Sequence, residues 1–184
     1  MSLNLNVSIA PPLIKMHKNS TRKNYDYKYG QKNIFNKIEE HFKIIRVEKV
    51  YNPQLYGMYL LCKEELQTRN IFDVRELILY HATSSENAIE ISKNNIDWRV
   101  TSRAKYGYGA CFSTSPKYAN KYSRAQGALI IFKVLVKKEE RVDFNCGLTV
   151  PQSINNDTVV SYNSLVYVKF DDYYFYPKYI VYYY

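Results

Sequence analysis

Leu77-Ile78-Leu79-Tyr80-His81 is a short apolar run that ends on an imidazole, and Ala82-Thr83 follow it. Its length and content predict a buried strand. The two small residues after His81 let a ligand approach the backbone. Taken alone, a histidine at a strand end is more often structural than catalytic, so the segments on either side must decide.

On the N-terminal side, Ile34, Phe35, Ile38 and Phe42 share one helical face from Gln31 onward. Lys43 to Val50 is rich in Ile and Val and predicts a strand. Pro53 suits a first helical turn, and Leu55, Tyr59, Cys62 and Leu66 recur at spacings of four, three and four. That spacing makes Cys62 core filler. Residues 1–24 carry Lys15, Lys18, Arg22 and Lys23 around Pro11-Pro12 and predict a basic arm ahead of a domain over 25–184. Either a solvated terminus or a nucleic-acid contact fits that arm.

On the C-terminal side, Thr83 and Glu86 have capping-box spacing for a helix reaching about Ser92. Tyr106-Gly107-Tyr108-Gly109 predicts a flexible turn into the short run Ala110 to Ser113. Ser115-Pro116 supplies a cap and a first-turn proline for a brief helix over Lys117 to Tyr122. Ala128 to Lys137 alternates as a strand, Val159 to Phe170 is another candidate, and Tyr174 to Tyr184 is β-prone. Pro177 within that last run suits a bulge or an edge strand better than a central one. Helices early and strands late predict an α+β domain with a mainly antiparallel sheet.

The 184 residues allow one domain or a small domain with a tail. With 46% hydrophobic and 23% charged residues, wholesale disorder is excluded. Lys+Arg 26 against Asp+Glu 17 gives a net charge of +9, which favours anionic partners without locating a site. Cys62, Cys111 and Cys146 form no Cys-x-x-Cys, which argues against a disulfide framework or a structural metal site. Neither a signal peptide nor a membrane span is evident, and the expectation is an intracellular protein, nuclear or cytoplasmic, acting as a monomer. Twenty tyrosines among basic residues also raise single-stranded nucleic-acid binding, though core and sheet packing explains them more simply.

The order of short motifs adds a family. After Leu79-Tyr80-His81-Ala82-Thr83 come Asn95-Ile96-Asp97-Trp98-Arg99-Val100, then Tyr106-Gly107-Tyr108-Gly109-Ala110-Cys111-Phe112-Ser113, then Tyr118-Ala119-Asn120-Lys121-Tyr122-Ser123. Ser164-Leu165-Val166-Tyr167-Val168-Lys169-Phe170 and Tyr176-Pro177-Lys178-Tyr179-Ile180-Val181-Tyr182 close the series. This order resembles the catalytic domain of the poly(ADP-ribose) polymerase superfamily, nearest the branch of mono-ADP-ribosyltransferases and their inactive relatives, including the zinc-finger antiviral protein.

The resemblance implies a diphtheria-toxin-like ADP-ribosyltransferase fold with a split, mainly antiparallel sheet and flanking helices. It implies NAD as substrate, no metal, and transfer of ADP-ribose to a protein or nucleic-acid acceptor with release of nicotinamide. Carried over by position, His81 bonds the adenine-side ribose and the backbone of Ala82 pairs with the carboxamide. Tyr122 stacks on the nicotinamide, and Thr83, Phe112 and Tyr118 line the pocket. Arg99 and Arg103 become candidates for the pyrophosphate, with a solvated basic surface as the plainer reading. Three positions depart from the family pattern: Cys111 replaces a tyrosine, Ala119 a serine, and Val166 the glutamate of the His-Tyr-Glu triad. Without that carboxylate polymer synthesis is not expected, and the alternative to mono-transfer is a catalytically degenerate fold kept as a binding or scaffold module.

Overall fold

The computed structural model describes residues 21–27, 32–69, 73–101, 105–122 and 127–184, with the side chains of Lys32 and Tyr122 outside the description. The first twenty residues of the expected arm, the helix start at Gln31 and Arg103 also lie outside the described residues.

Among the described residues nine strands make one sheet, in the order β1-β2-β9-β5-β3-β4-β8-β7-β6. They are β1 (Thr21–Asn24), β2 (Ile44–Tyr51), β3 (Arg75–Thr83), β4 (Ala110–Ser113), β5 (Ala128–Val136), β6 (Glu139–Val142), β7 (Thr158–Ser161), β8 (Val166–Lys169) and β9 (Phe175–Tyr183). Every neighbouring pair is antiparallel except β6 with β7. The fold is therefore α+β with a mixed, mostly antiparallel sheet.

Alternation along the central strands sorts the core onto two faces. On one, Tyr80, Ala82, Leu129, Ile131, Tyr179 and Val181 meet Phe35 and Ile38 of α1 (Lys32–Glu39). Farther along that face, Leu55, Tyr59 and Leu66 of α2 (Pro53–Arg69) cover Leu135 and Tyr176. The opposite face carries Leu79, Ile130, Phe132, Val134 and Ile180 under Ala88 and Ile91 of α3 (Ser85–Asn94). A short helix, α4 (Pro116–Tyr122), packs chiefly against β3.

Several elements differ from the sequence reading. Ser84 rather than Thr83 caps α3, accepting from the Asn87 amide at 3.1 Å, while Thr83 completes β3. Val159 to Phe170 is broken into β7 and β8 by a turn in which Ser164 has φ +56°. Arg22 and Lys23, read as part of the arm, lie in β1 and pair along β2. The largest difference is β9, which runs through the middle of the sheet between β2 and β5. Proline is tolerated there because the β5–β9 register slips by one residue between Ile131 and Phe132, opposite Tyr179 and Pro177.

The Gly107–Gly109 segment is not a loose turn. A Cβ on Gly109 would lie 2.4 Å from the Lys169 carbonyl oxygen, so only glycine lets the chain pass this close to β8. Gly107 adopts φ +124° against Phe170. Lys169 itself is wholly buried, its ammonium on Asp157 and, at 3.0 Å, on the Thr158 hydroxyl. Asp157 also accepts from the Lys138 amide at 2.8 Å. Removing one partner of such a pair leaves an uncompensated buried charge. Asp157→Ala is expected to cost about 3–5 kcal/mol in urea unfolding, with part recovered by adding Lys169→Met; a loss below about 1 kcal/mol would show that the pair is not structurally required.

Candidate functional site

The sheet is nearly divided between β3 and β4, which share one register pair, Tyr80 with Ser113. On its other side β3 stays paired with β5 through Thr83 and Ala128. His81, Ala82 and Thr83 therefore extend past the junction, and no strand among the described residues pairs with their outer edge. β4 turns away to pair with β8, from Ala110 with Lys169 to Ser113 with Val166.

His81 spans the gap. Its Nδ1–H donates to the Cys111 carbonyl at 2.9 Å, and its ring meets Phe112 and Phe132 edge-on at 6.3 and 6.4 Å. Burial lowers the imidazole pKa, outweighing the opposing effect of this hydrogen bond. The ring is thus held neutral at pH 7 with Nδ1 protonated, which leaves Nε2 as an acceptor. An acceptor nitrogen suits a ligand hydroxyl.

The other expected site residues fall into three groups. Phe112 packs on the His81 face of the sheet with Phe132 and Phe175. Ala82 points to the opposite face, as a strand neighbour must, and Ala119 of α4 packs against that same cluster. Cys111, Tyr118 and Val166 share a third cluster with Val159, Val168 and Phe170. Val166 is buried there, opposite Ser113, and its amide donates to the Ser161 hydroxyl at 3.0 Å. Thr83 is buried, and its hydroxyl accepts from the Asn87 side chain at 2.9 Å, so α3 fixes the end of β3. Tyr122 closes α4, but its side chain lies outside the described residues.

Cys111 is not an activated nucleophile. Burial pushes its thiol up to about 12, and the Sγ–H donates to the Gly109 carbonyl at 3.5 Å. Arg99 is also engaged: its guanidinium binds Asp172 at 2.6 and 3.1 Å and Asp97 at 3.3 Å. Trp98 Nε1 donates to the same Asp172 at 3.1 Å. The Asp97-Trp98-Arg99 element thus fastens the loop before β4 to the turn after β8, and a pyrophosphate would have to compete for Arg99. No group of three His, Cys, Asp or Glu at metal-binding distances occurs among the described residues.

Two participants were not visible in the sequence. The Cys111 carbonyl, which orients His81, is a backbone atom with no residue signature. Asn120, which accepts from the Tyr183 hydroxyl and so ties α4 to β9, sits in the Tyr118–Ser123 motif without standing out as a contact.

Sequence comparison finds relatives of the chain. Human protein mono-ADP-ribosyltransferase PARP14 is 28% identical over 162 residues, covering 80% of the chain and 9% of the relative. Human PARP11, also named a protein mono-ADP-ribosyltransferase, is 27% identical over 125 residues, covering 66% of the chain and 35% of its own length. The mouse mono-ADP-ribosyltransferase PARP12 is 26% identical over 161 residues, 81% of the chain and 23% of its own length. The chain is a homologue of these mono-ADP-ribosyltransferases. The resemblance read from the ordered motifs therefore has independent support, and it points to the catalytic domain of the poly(ADP-ribose) polymerase superfamily. The chain spans between about a tenth and a third of the length of these mono-ADP-ribosyltransferase relatives. No protein-family model matches the chain.

The tautomer of His81 is open to measurement. Long-range ¹H–¹⁵N correlation spectra should show a neutral, Nδ1-protonated ring at pH 7 that titrates below 6.5. An Nε2-protonated ring would contradict the geometry described above.

Proposed function

We propose that the chain is an NAD-dependent mono-ADP-ribosyltransferase of diphtheria-toxin-like fold, with its site at the divided junction between β3 and β4. The observation that carries this reading is the His81–Cys111 bridge, which presents an acceptor Nε2 beside a strand edge that no described strand pairs with. In this reading Nε2 accepts from the adenine-side ribose hydroxyl. The β3 edge at Ala82 offers backbone groups to the carboxamide, and alanine supplies them as glycine would. Tyr118 and Phe112 wall the pocket, and Tyr122 supplies the stacking ring for the pyridinium cation.

The reaction breaks the bond between the ribose anomeric carbon and the nicotinamide nitrogen. The bonding pair leaves with nicotinamide, which becomes neutral, and the ribose passes through an oxocarbenium-like state. A nucleophilic oxygen, nitrogen or sulfur of the acceptor then bonds to the anomeric carbon and releases its proton to solvent. Val166 brings no carboxylate to steady that cation or to activate a growing polymer end, so one transfer per acceptor site is the supported outcome.

A second reading has its own support. Cys111, Tyr118 and Val166 sit in one apolar cluster, where the family pattern would place a ring and a carboxylate. A site so altered suits a module that binds NAD or a related ligand without turning it over.

Incubation with labelled NAD separates the two. Transfer or nicotinamide release that falls at least about tenfold in His81→Ala supports the transferase. Calorimetric NAD binding without turnover selects the module instead, and neither binding nor turnover defeats both. Cys111→Tyr should tighten binding of a nicotinamide-like inhibitor about fivefold or more by restoring a stacking surface; an unchanged affinity would remove Cys111 from the nicotinamide slot.

A further inference from the structure

β1 and β2 align Lys23 directly opposite Lys49. Like charges in that position repel across a strand pair. Neither lysine has an acidic partner among the described residues, because the neighbouring Glu48 points to the other face and holds Arg22 and Arg46. On the same face Lys49 stands opposite Tyr179, and the register slip at Pro177 brings Lys178 alongside. Lys178 is half-buried, and its pKa is lowered first by burial and then by Lys133 and Lys49, with Glu76 opposing. Glu76 also holds Lys63 and Lys133, at 2.9 and 2.8 Å.

Tyrosine rings continue this surface. Tyr51 lies two residues beyond Lys49, on the same side of β2, and is 53% exposed. Tyr56 of α2 is 39% exposed and leans on Tyr176 at 5.0 Å, whose hydroxyl donates to the Val50 carbonyl. The Tyr56 ring is thus held in place by packing, and both it and Tyr51 remain partly open to solvent. The row Lys49–Tyr179–Ile131–Tyr80 crosses three strand spacings, so this surface lies about 15 Å from the β3–β4 junction. It is a separate surface from the one around His81.

We propose that Lys23, Lys49, Lys178, Tyr51 and Tyr56 form a binding surface for single-stranded nucleic acid. The phosphates neutralise the facing lysines, and the exposed rings give unpaired bases a face to stack on. A duplex keeps its bases stacked inside and cannot use those rings, so single strands are the favoured form.

Fluorescence anisotropy with labelled oligouridylate, oligothymidylate and a duplex of equal length tests this on the full chain. Both single strands should bind more tightly than the duplex. Lys49→Glu should weaken binding about tenfold and reduce the salt slope by about 0.7 or more. Lys93→Glu makes the same charge change on α3, across the sheet, and should have little effect. Tyr51→Ala should cost about fivefold or more at unchanged melting temperature, and Tyr56→Ala a similar loss of binding. Equal losses for the Lys49 and Lys93 reversals would overturn the proposal, as would preference for the duplex. So would tighter Lys49-dependent binding of anionic vesicles or polyglutamate. If Lys49→Glu fails to fold, Lys49→Gln provides the same comparison with a smaller expected loss.

Discussion

The hydrogen bond from His81 to the Cys111 carbonyl joins the two halves of the sheet where their backbone pairing ends. Backbone pairing between the two halves of the sheet shrinks to Tyr80 and Ser113, and the imidazole continues the connection where the strands part. That contact fixes the ring's tautomer, sets the separation of β3 from β4 and aims a lone pair away from the carbonyl. The aromatic packing of Phe112, Phe132 and Phe175 behind it excludes water and keeps the ring uncharged. Gly109, Asp172 and the Lys169–Asp157 pair hold the far half of the sheet in position, so that the carbonyl is where the imidazole needs it.

The residues that replace the family pattern change the chemistry available there. A thiol at 111 packs against Tyr118 and Val166 where a ring would project, and burial keeps it protonated. A valine at 166 leaves the neighbourhood apolar. In the proposed transferase the histidine would still orient a ribose, while stabilisation of a developing cation would have to come from stacking and from the ligand's own phosphates. Such a site favours recognition over rate.

Much of this was legible in the chain because local chemistry and tertiary packing agree. Ser115-Pro116 caps α4, with the Ser115 hydroxyl accepting from the Tyr118 amide at 3.2 Å. Leu55, Tyr59 and Leu66 are buried along α2 with Cys62 half-buried beside them. What escaped the sequence depends on distant partners. Pro177 argues locally against a central strand, and only the one-residue slip along β5 accommodates it. Gly109 reads as flexibility until the Lys169 backbone is placed against it. Arg99 reads as a free cation until Asp172, 73 residues later, takes its guanidinium.

The position of β9 also bears on how the protein is made. Residues 175–183 fill the slot between β2 and β5, so a nascent chain still lacking them presents two open strand edges and an uncovered apolar layer. Neither β1–β2 nor β5–β3 can join the other until synthesis has passed Tyr182. Such high contact order slows folding and lengthens the interval in which those edges can pair with a neighbouring polypeptide.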